Sequence, residues 1–125
     1  MVKYLWDTYA IILLIQGNDM VEKYLDSEGI TTTLNISELC AYLLREEMNC
    51  EIVSTVAEAF TVIEKIPVDI AINAAKLRHK KRQDGKKWSY VDSIGYILAR
   101  RIGARFLTGD KEFEGERNVE FIELQ

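Results

Sequence analysis

The sequence predicts an α/β fold around a mostly parallel sheet. Three observations carry this expectation. Short β-branched or aromatic runs alternate with longer segments of helical periodicity along the whole chain. Single breakers, namely Gly17, Gly29, Pro67, Gly85 and Gly103, separate the segments. The composition is that of an ordinary globule, 48% hydrophobic and 29% charged over 125 residues, which is enough chain to bury one core. No internal repeat, low-complexity tract or linker divides residues 1–125, so they are expected to form one domain.

The elements follow in order. Val2–Trp6 is short, apolar and aromatic and stops at Asp7, as a first strand does. Residues 8–15 are wholly apolar at 9–15, and periodicity alone leaves helix and strand open. A short helix is expected over 19–27, closed by Gly29. Ile30–Leu34 holds three threonines between aliphatic residues, a β-branched strand. The helix over 35–47 carries Ile36, Leu39, Cys40, Leu43 and Leu44 on one stripe. A helix over 51–60 and a strand over 61–66 precede Pro67. A longer helix spans 68–83 and ends before Gly85. Another opens at Ser89, buries Val91, Ile94, Leu98 and Ile102, and ends at Gly103. Strands over 105–108 and 119–124 complete the chain.

Several functional classes fall away. The longest apolar run, Tyr9–Ile15, is far short of the ~20 residues a membrane helix needs. Asp7 interrupts the N-terminus before a secretory signal could form, so a cytoplasmic location is expected. Cys40 and Cys50 form no CxxC pair and are expected to be free buried thiols. His79 is the only histidine, which excludes a nuclease built on two histidines and makes a histidine-rich zinc site implausible. No GxxxxGK loop is present for a nucleotide triphosphate. The net charge of -4 argues against a nucleic-acid binder, as long as the acids are spread evenly.

They are not spread evenly. Asp7 follows the first strand, Glu38 lies in the first turn of the helix expected at 35–47, Asp92 opens the helix after Ser89, and Asp110 follows the strand at 105–108. In a parallel α/β sheet these points share the carboxyl edge, where ligands gather. Each acid also has a structural reading. Asn35 with Glu38, and Ser89 with Asp92, fit capping boxes; Asp7 fits a cap, and Asp110 a turn residue after Gly109. Four crowded carboxylates repel one another unless a cation lies between them. Oxygen donors without histidine or thiolate select Mg²⁺ or Mn²⁺. One or two such ions bind a phosphodiester, acidify a water and stabilise the leaving oxygen.

The motifs around these acids resemble a known family. Tyr4-Leu5-Trp6-Asp7-Thr8, Asn35-Ile36-Ser37-Glu38-Leu39, Tyr90-Val91-Asp92-Ser93-Ile94 and Phe106-Leu107-Thr108-Gly109-Asp110-Lys111-Glu112-Phe113 are similar in order and spacing to PIN-domain proteins. By size the chain resembles the toxin nuclease of a VapBC-type toxin–antitoxin pair. The resemblance implies a three-layer α/β/α sandwich and a metal-dependent endoribonuclease, with a homodimer and a cognate antitoxin as partners. Its conserved acids map to Asp7, Glu38, Asp92 and Asp110, and its polar positions beside the metal to Thr8 and Thr108. Many members carry a further aspartate where this chain has Glu112, so Glu112 is expected to act through water or as a plain loop acid.

Seven of the sixteen Lys and Arg lie within residues 76–87. Lys80, Lys81, Arg82, Lys86 and Lys87, followed by Trp88 and Tyr90, form a candidate RNA contact; the competing reading is a solvated helix face. Amphipathic helices at 19–27 and 51–60 offer a possible partner groove. Two rival functions stay open at this level. One is an acidic-site phosphatase or receiver-like domain, against which Asp7 has no neighbouring acidic pair. The other is a binding module whose acids are caps alone.

Overall fold

The computed structural model describes residues 2–124. Its elements are β1 (Tyr4–Trp6), α1 (Thr8–Ile15), a 3₁₀ segment Asp19–Tyr24, β2 (Gly29–Thr32), α2 (Thr33–Arg45), α3 (Ile52–Ala59), β3 (Thr61–Ile63), α4 (Val68–Gln83), α5 (Tyr90–Arg101), β4 (Arg105–Thr108), a second 3₁₀ turn Lys111–Phe113, and β5 (Val119–Phe121). The strands form one sheet in the order β3-β2-β1-β4-β5, and every neighbouring pair is parallel. The chain leaves β1 toward β2 on one side and later returns to β4 on the other. The β1–β4 boundary is therefore the topological switch point of the sheet.

Alternation along the strands separates two apolar layers. Leu5 and Phe106 face α4 and α5 and join Ile70, Trp88, Tyr96 and Phe113. Trp6 and Leu107 face the other way, against Ala10, Ile11, Leu39, Leu43 and Val56 of α1, α2 and α3. The sheet thus lies between two helical layers, as an α/β/α sandwich. Each large side chain so buried contributes roughly 1.5–3 kcal/mol. Gly95, in the middle of α5, has a packing reason. A Cβ there would stand 3.0 Å from the Phe106 ring and 3.6 Å from Leu5, so any larger residue would push the buried Phe106 ring aside to keep α5 this close to β1 and β4.

The boundaries differ from the sequence reading at instructive places. Residues 8–15, ambiguous by pattern, are helical because the Asp7 carboxylate accepts the Ala10 N–H at 2.8 Å and starts the turn. The expected helix at 19–27 is a 3₁₀ segment ending at Tyr24; the Asn18 side chain caps it through Met20 N–H. α2 begins at Thr33, two residues before the expected start, and its cap is Thr32, whose hydroxyl accepts the Asn35 N–H at 3.2 Å. The expected Asn35–Glu38 capping box is therefore not formed. The third threonine of the run belongs to the helix rather than the strand, and Glu38 falls in the second turn. β3 stops at Ile63 and β5 at Phe121, each three residues early. Cys40 and Cys50 are free as expected, yet half-buried rather than buried, with sulfurs 3.1 Å apart.

Candidate functional site

Three of the four acids occupy element starts at the carboxyl edge, and there the cap itself aims the carboxylate. Asp7 directly follows β1, and its N–H donates to the Leu107 carbonyl of β4 at 3.1 Å. This bond continues the Trp6–Leu107 register and sets Asp7 beside Thr108 across the switch point. Asp7 is 2% exposed. Asp110 follows β4; its N–H donates to the Thr108 hydroxyl at 3.0 Å, and its Oδ1 accepts the Glu112 N–H at 3.0 Å. Asp92 forms the capping box expected from the sequence: its N–H donates to Ser89 Oγ at 3.0 Å, and its Oδ2 accepts the Ser89 N–H at 3.2 Å.

Glu38 is held differently, by side chains alone. The Thr8 hydroxyl donates to Glu38 Oε1 at 2.6 Å. The Asn35 amide donates to that same hydroxyl at 3.1 Å, and the Thr32 hydroxyl donates to Asn35 Oδ1 at 2.7 Å. The result is a directed chain from Thr32 through Asn35 and Thr8 to Glu38. Each donor in it has one acceptor, and the carboxylate is the terminal acceptor. Asn35 is buried and was not singled out as a site residue by the sequence. The available signal was its position one turn before Glu38 on the same helical face.

Electrostatics ties the four together. Burial pushes the Asp7 carboxyl well above the usual carboxylate range; the Thr108 and Ala10 hydrogen bonds oppose this, and the charges of Asp92 and Asp110 add to it. Burial likewise pushes Asp92 up to about 6, against its bonds from Ser89, with Glu38 and Asp110 adding repulsion. No ion pair relieves them. The ion pairs among the described residues are Lys81–Glu116, Arg101–Asp69 and Arg105–Glu120, and none includes these four acids. The same residues contain no ready-made cage of three or more ligating side chains. The carboxylates share one electrostatic neighbourhood without forming such a cage. All-oxygen donors, with Asp7 buried and Glu38, Asp92 and Asp110 half-buried, and with no cationic partner among the described residues, fit a hard divalent cation in charge and in chemistry.

The remaining sequence candidates divide. Thr8 and Thr108 lie beside the acids, bonded as described. The Glu112 carboxylate accepts the Lys87 N–H at 3.3 Å, which turns it toward the segment before α5. Lys80, Arg82 and Lys87 are exposed, and Lys86 is half-buried. Tyr90 is 59% exposed, with the Arg78 guanidinium 4.0 Å from its ring centre. Lys81 is engaged by Glu116 at 2.6 Å and lies over the Trp88 ring. Trp88 itself corrects the sequence reading. It is 1% exposed, stacks on Phe113 at 4.2 Å, and donates its indole N–H to the Glu112 carbonyl at 3.0 Å. It is a core residue and presents no face to a nucleic acid.

Comparison with known proteins gives a consistent result. The family model described as PIN domain matches residues 4–115. No curated protein matches the chain in sequence. Among solved structures, the chain resembles a toxin–antitoxin complex from Klebsiella pneumoniae, with TM-score 0.75, 20% identity, and 94% of this chain and 95% of that one covered. It also resembles VapC20 from Mycobacterium tuberculosis, described as a sarcin–ricin loop cleaving toxin, with TM-score 0.74, 17% identity and 98% of both chains covered. DNA-bound VapBC from Salmonella typhimurium gives TM-score 0.73 at 19% identity over 97% of both chains. At these identities the likeness is one of fold.

Proposed function

The chain belongs to the PIN domain family, and from that premise we propose that it is a metal-dependent endoribonuclease, hydrolysing RNA phosphodiester bonds as the toxin of a VapBC-like pair. Residues 1–125 act as one nuclease domain in this reading. The observation that carries it is that Asp7 feels the charges of Asp92 and Asp110, and Asp92 those of Glu38 and Asp110, although the four come from separate segments and none has a Lys or Arg ion-pair partner among the described residues. Fold alone does not assign chemistry; these side chains do.

Asp7, Glu38, Asp92 and Asp110 would hold one or two Mg²⁺ or Mn²⁺ ions, with Glu112 further out. When bound, such an ion supplies charge stabilisation to the phosphodiester and acidifies water. The protein's own part is positioning. The Ala10 and Thr108 hydrogen bonds fix Asp7, Ser89 fixes Asp92, and the Thr8–Asn35–Thr32 chain fixes Glu38. The exposed Lys80, Arg82, Lys87 and Tyr90, with Lys86, would contact the RNA backbone and bases near Asp92. The five acids invoked more than account for the chain's net charge of -4, so the rest of the molecule does not repel RNA.

Resemblance to proteins described as toxin–antitoxin complexes and as VapBC supports a cognate antitoxin as partner. A homodimer and a cytoplasmic location belong to the same proposal. The decisive experiment is cleavage of single-stranded RNA by the purified chain in Mg²⁺ or Mn²⁺, with and without excess chelator. Cleavage that chelation abolishes and Mn²⁺ restores is expected. Full activity in chelator overturns the reading, and calorimetry showing no divalent-ion binding at millimolar levels favours the binding module instead.

A further inference from the structure

A groove of about 590 Å³ runs beside the acidic site and shares Asp110 with it. That is the size range of clefts that take a small ligand. Tyr9, Lys111, Glu114, Phe121 and Glu123 also line it. Tyr9 directly follows Asp7 and Thr8, so one turn of α1 presents a site carboxylate, a site hydroxyl and then an aromatic ring. The ring is seated on the β4 turn: a Cβ at Gly109 would stand 2.7 Å from Tyr9 Cε1. Glycine at 109 is thus what lets the ring rest there, and Tyr9 as a residue is still 40% exposed. A ring already held by backbone loses little freedom when a second flat group stacks on it.

Resting on the ribonuclease reading above, we infer that this groove receives the nucleobase flanking the scissile phosphate, stacked on Tyr9. The charges select a base over a phosphate. Three carboxylates, Asp110, Glu114 and Glu123, line the groove against one ammonium, Lys111. A phosphate inside would be repelled, while a neutral heterocycle meets aromatic lining from Tyr9 and Phe121. Lys111 is left for the neighbouring phosphate. Glu114 and Glu123, which are not assigned to the metal, are acceptors, so they favour a base edge rich in donors. Guanine offers two adjacent donors to one carboxylate, cytosine and adenine offer an amino group, and uracil offers a single imino N–H flanked by two carbonyls that the acids repel. The groove therefore favours guanine and disfavours uracil, by the edge readout single-stranded RNA permits.

The test measures binding and cleavage separately. Fluorescence anisotropy is read in the Asp7→Asn background with Mg²⁺, on single-stranded oligonucleotides differing only by one G, C, A or U. Expected is tighter binding of the G oligonucleotide than of the U one. Tyr9→Ala weakens the G complex about 10-fold, the size of one lost base–aromatic stack. Tyr9→Phe retains the affinity. Tyr9→Leu, which keeps the contact with Gly109 and lacks the ring, behaves like Tyr9→Ala and serves if the alanine variant misfolds. Glu114→Gln with Glu123→Gln narrows the G-over-U difference. In cleavage, Tyr9→Ala raises KM with kcat little changed. Equal binding of the G and U oligonucleotides together with unchanged affinity in Tyr9→Leu overturns the inference, as does loss of a basic peptide's binding in that variant with RNA unaffected. Failure of the chain with native Asp7 to cut any RNA in Mn²⁺ overturns the ribonuclease reading instead, and the binding measurement still decides what the groove holds.

Discussion

The carboxyl edge of the sheet and the basic stretch at 76–88 invite the same sequence-level argument, a cluster of one charge suited to one ligand. In the folded chain they have different fates. The acids lie at positions 7, 38, 92 and 110, far apart in sequence, and the parallel topology gathers them. The basic residues are adjacent in sequence, and the helix disperses them around its circumference. Lys81 goes to Glu116, Arg78 donates to the Trp88 carbonyl and lies over Tyr90, and Trp88 enters the core. Proximity in sequence is a poor guide to a shared site on a helix, where neighbours diverge by about 100° per residue. Equivalent positions after parallel strands are a good guide, because every strand ends at the same edge.

The strongest way to break this comparison is to remove one acid. Asp7→Asn keeps a side-chain oxygen for the Ala10 cap and removes the charge. Cleavage is expected to fall roughly 10³-fold, the scale of several kcal/mol of lost charge stabilisation, while circular dichroism shows an intact fold. A comparable loss from Lys80→Ala would reverse the ranking of the two regions.

Trp88→Ala is expected to destabilise the fold by about 3–5 kcal/mol in urea titration, through the cavity left against Phe113 and Tyr96. A Trp88→Ala variant of unchanged stability and weakened RNA binding would restore Trp88 to the nucleic-acid surface.

The pH dependence comes next. Asp92 is raised from 3.8 to about 6 in the folded state. The folded state therefore holds this proton more tightly than the unfolded chain. The stability contributed is fully present below pH ~4 and is lost as pH rises through about 6, amounting to about 2–3 kcal/mol for this group. Asp7 is raised in the same direction. In chelator, Asp7→Asn should thus melt higher than the native sequence at pH 7, with the gap closing toward pH 4. Millimolar Mn²⁺ should raise the native protein's Tm and leave the variant's nearly unmoved. A lower Tm for Asp7→Asn at pH 7 in chelator would show that the acids are not strained by mutual burial.

Asn35→Ala removes the middle of the Thr32–Asn35–Thr8–Glu38 chain without touching a carboxylate. A loss of about 10-fold in activity and weaker Mn²⁺ binding by calorimetry are expected, the range for partners that orient ligands. Asn35→Asp, which keeps the acceptor for Thr32 but not the amide donor, should not restore activity. The smallest effect is expected at Lys86→Ala and Lys87→Ala, each weakening RNA binding about 3-fold with a slightly shallower salt dependence.

Much of the fold and part of the site were legible because local rules and global topology agree. Ser89-Tyr90-Val91-Asp92 reads as a capping box and forms one, and the cap and the candidate ligand are the same carboxylate. The structural and functional readings of Asp7, Asp92 and Asp110 were never exclusive, since a cap engages one oxygen and fixes the direction of the group. Asn35-Ile36-Ser37-Glu38 reads equally well as a box and is not one. Thr32 offered an earlier cap, and tertiary bonds to Thr8 outweighed the local alternative. Trp88 was misread because an aromatic after a basic run looks the same whether it faces a base or Phe113. Tyr9 and its seat over Gly109, one hundred residues apart, left no local trace.

By itself the sequence determined the alternation of elements, most of the apolar stripes (Leu44, expected on one, is exposed), and carboxylates at strand ends, because each follows from periodicity and capping within a few residues. Only the tertiary structure decided which strands neighbour one another, which oxygen of each acid is engaged, and which aromatic is core and which is exposed. Those depend on contacts between segments tens of residues apart. The burial of Asp7 and Asp92, and the charges of Glu38 and Asp110 near them, depend on the same distant contacts, and they make this edge a candidate cation site.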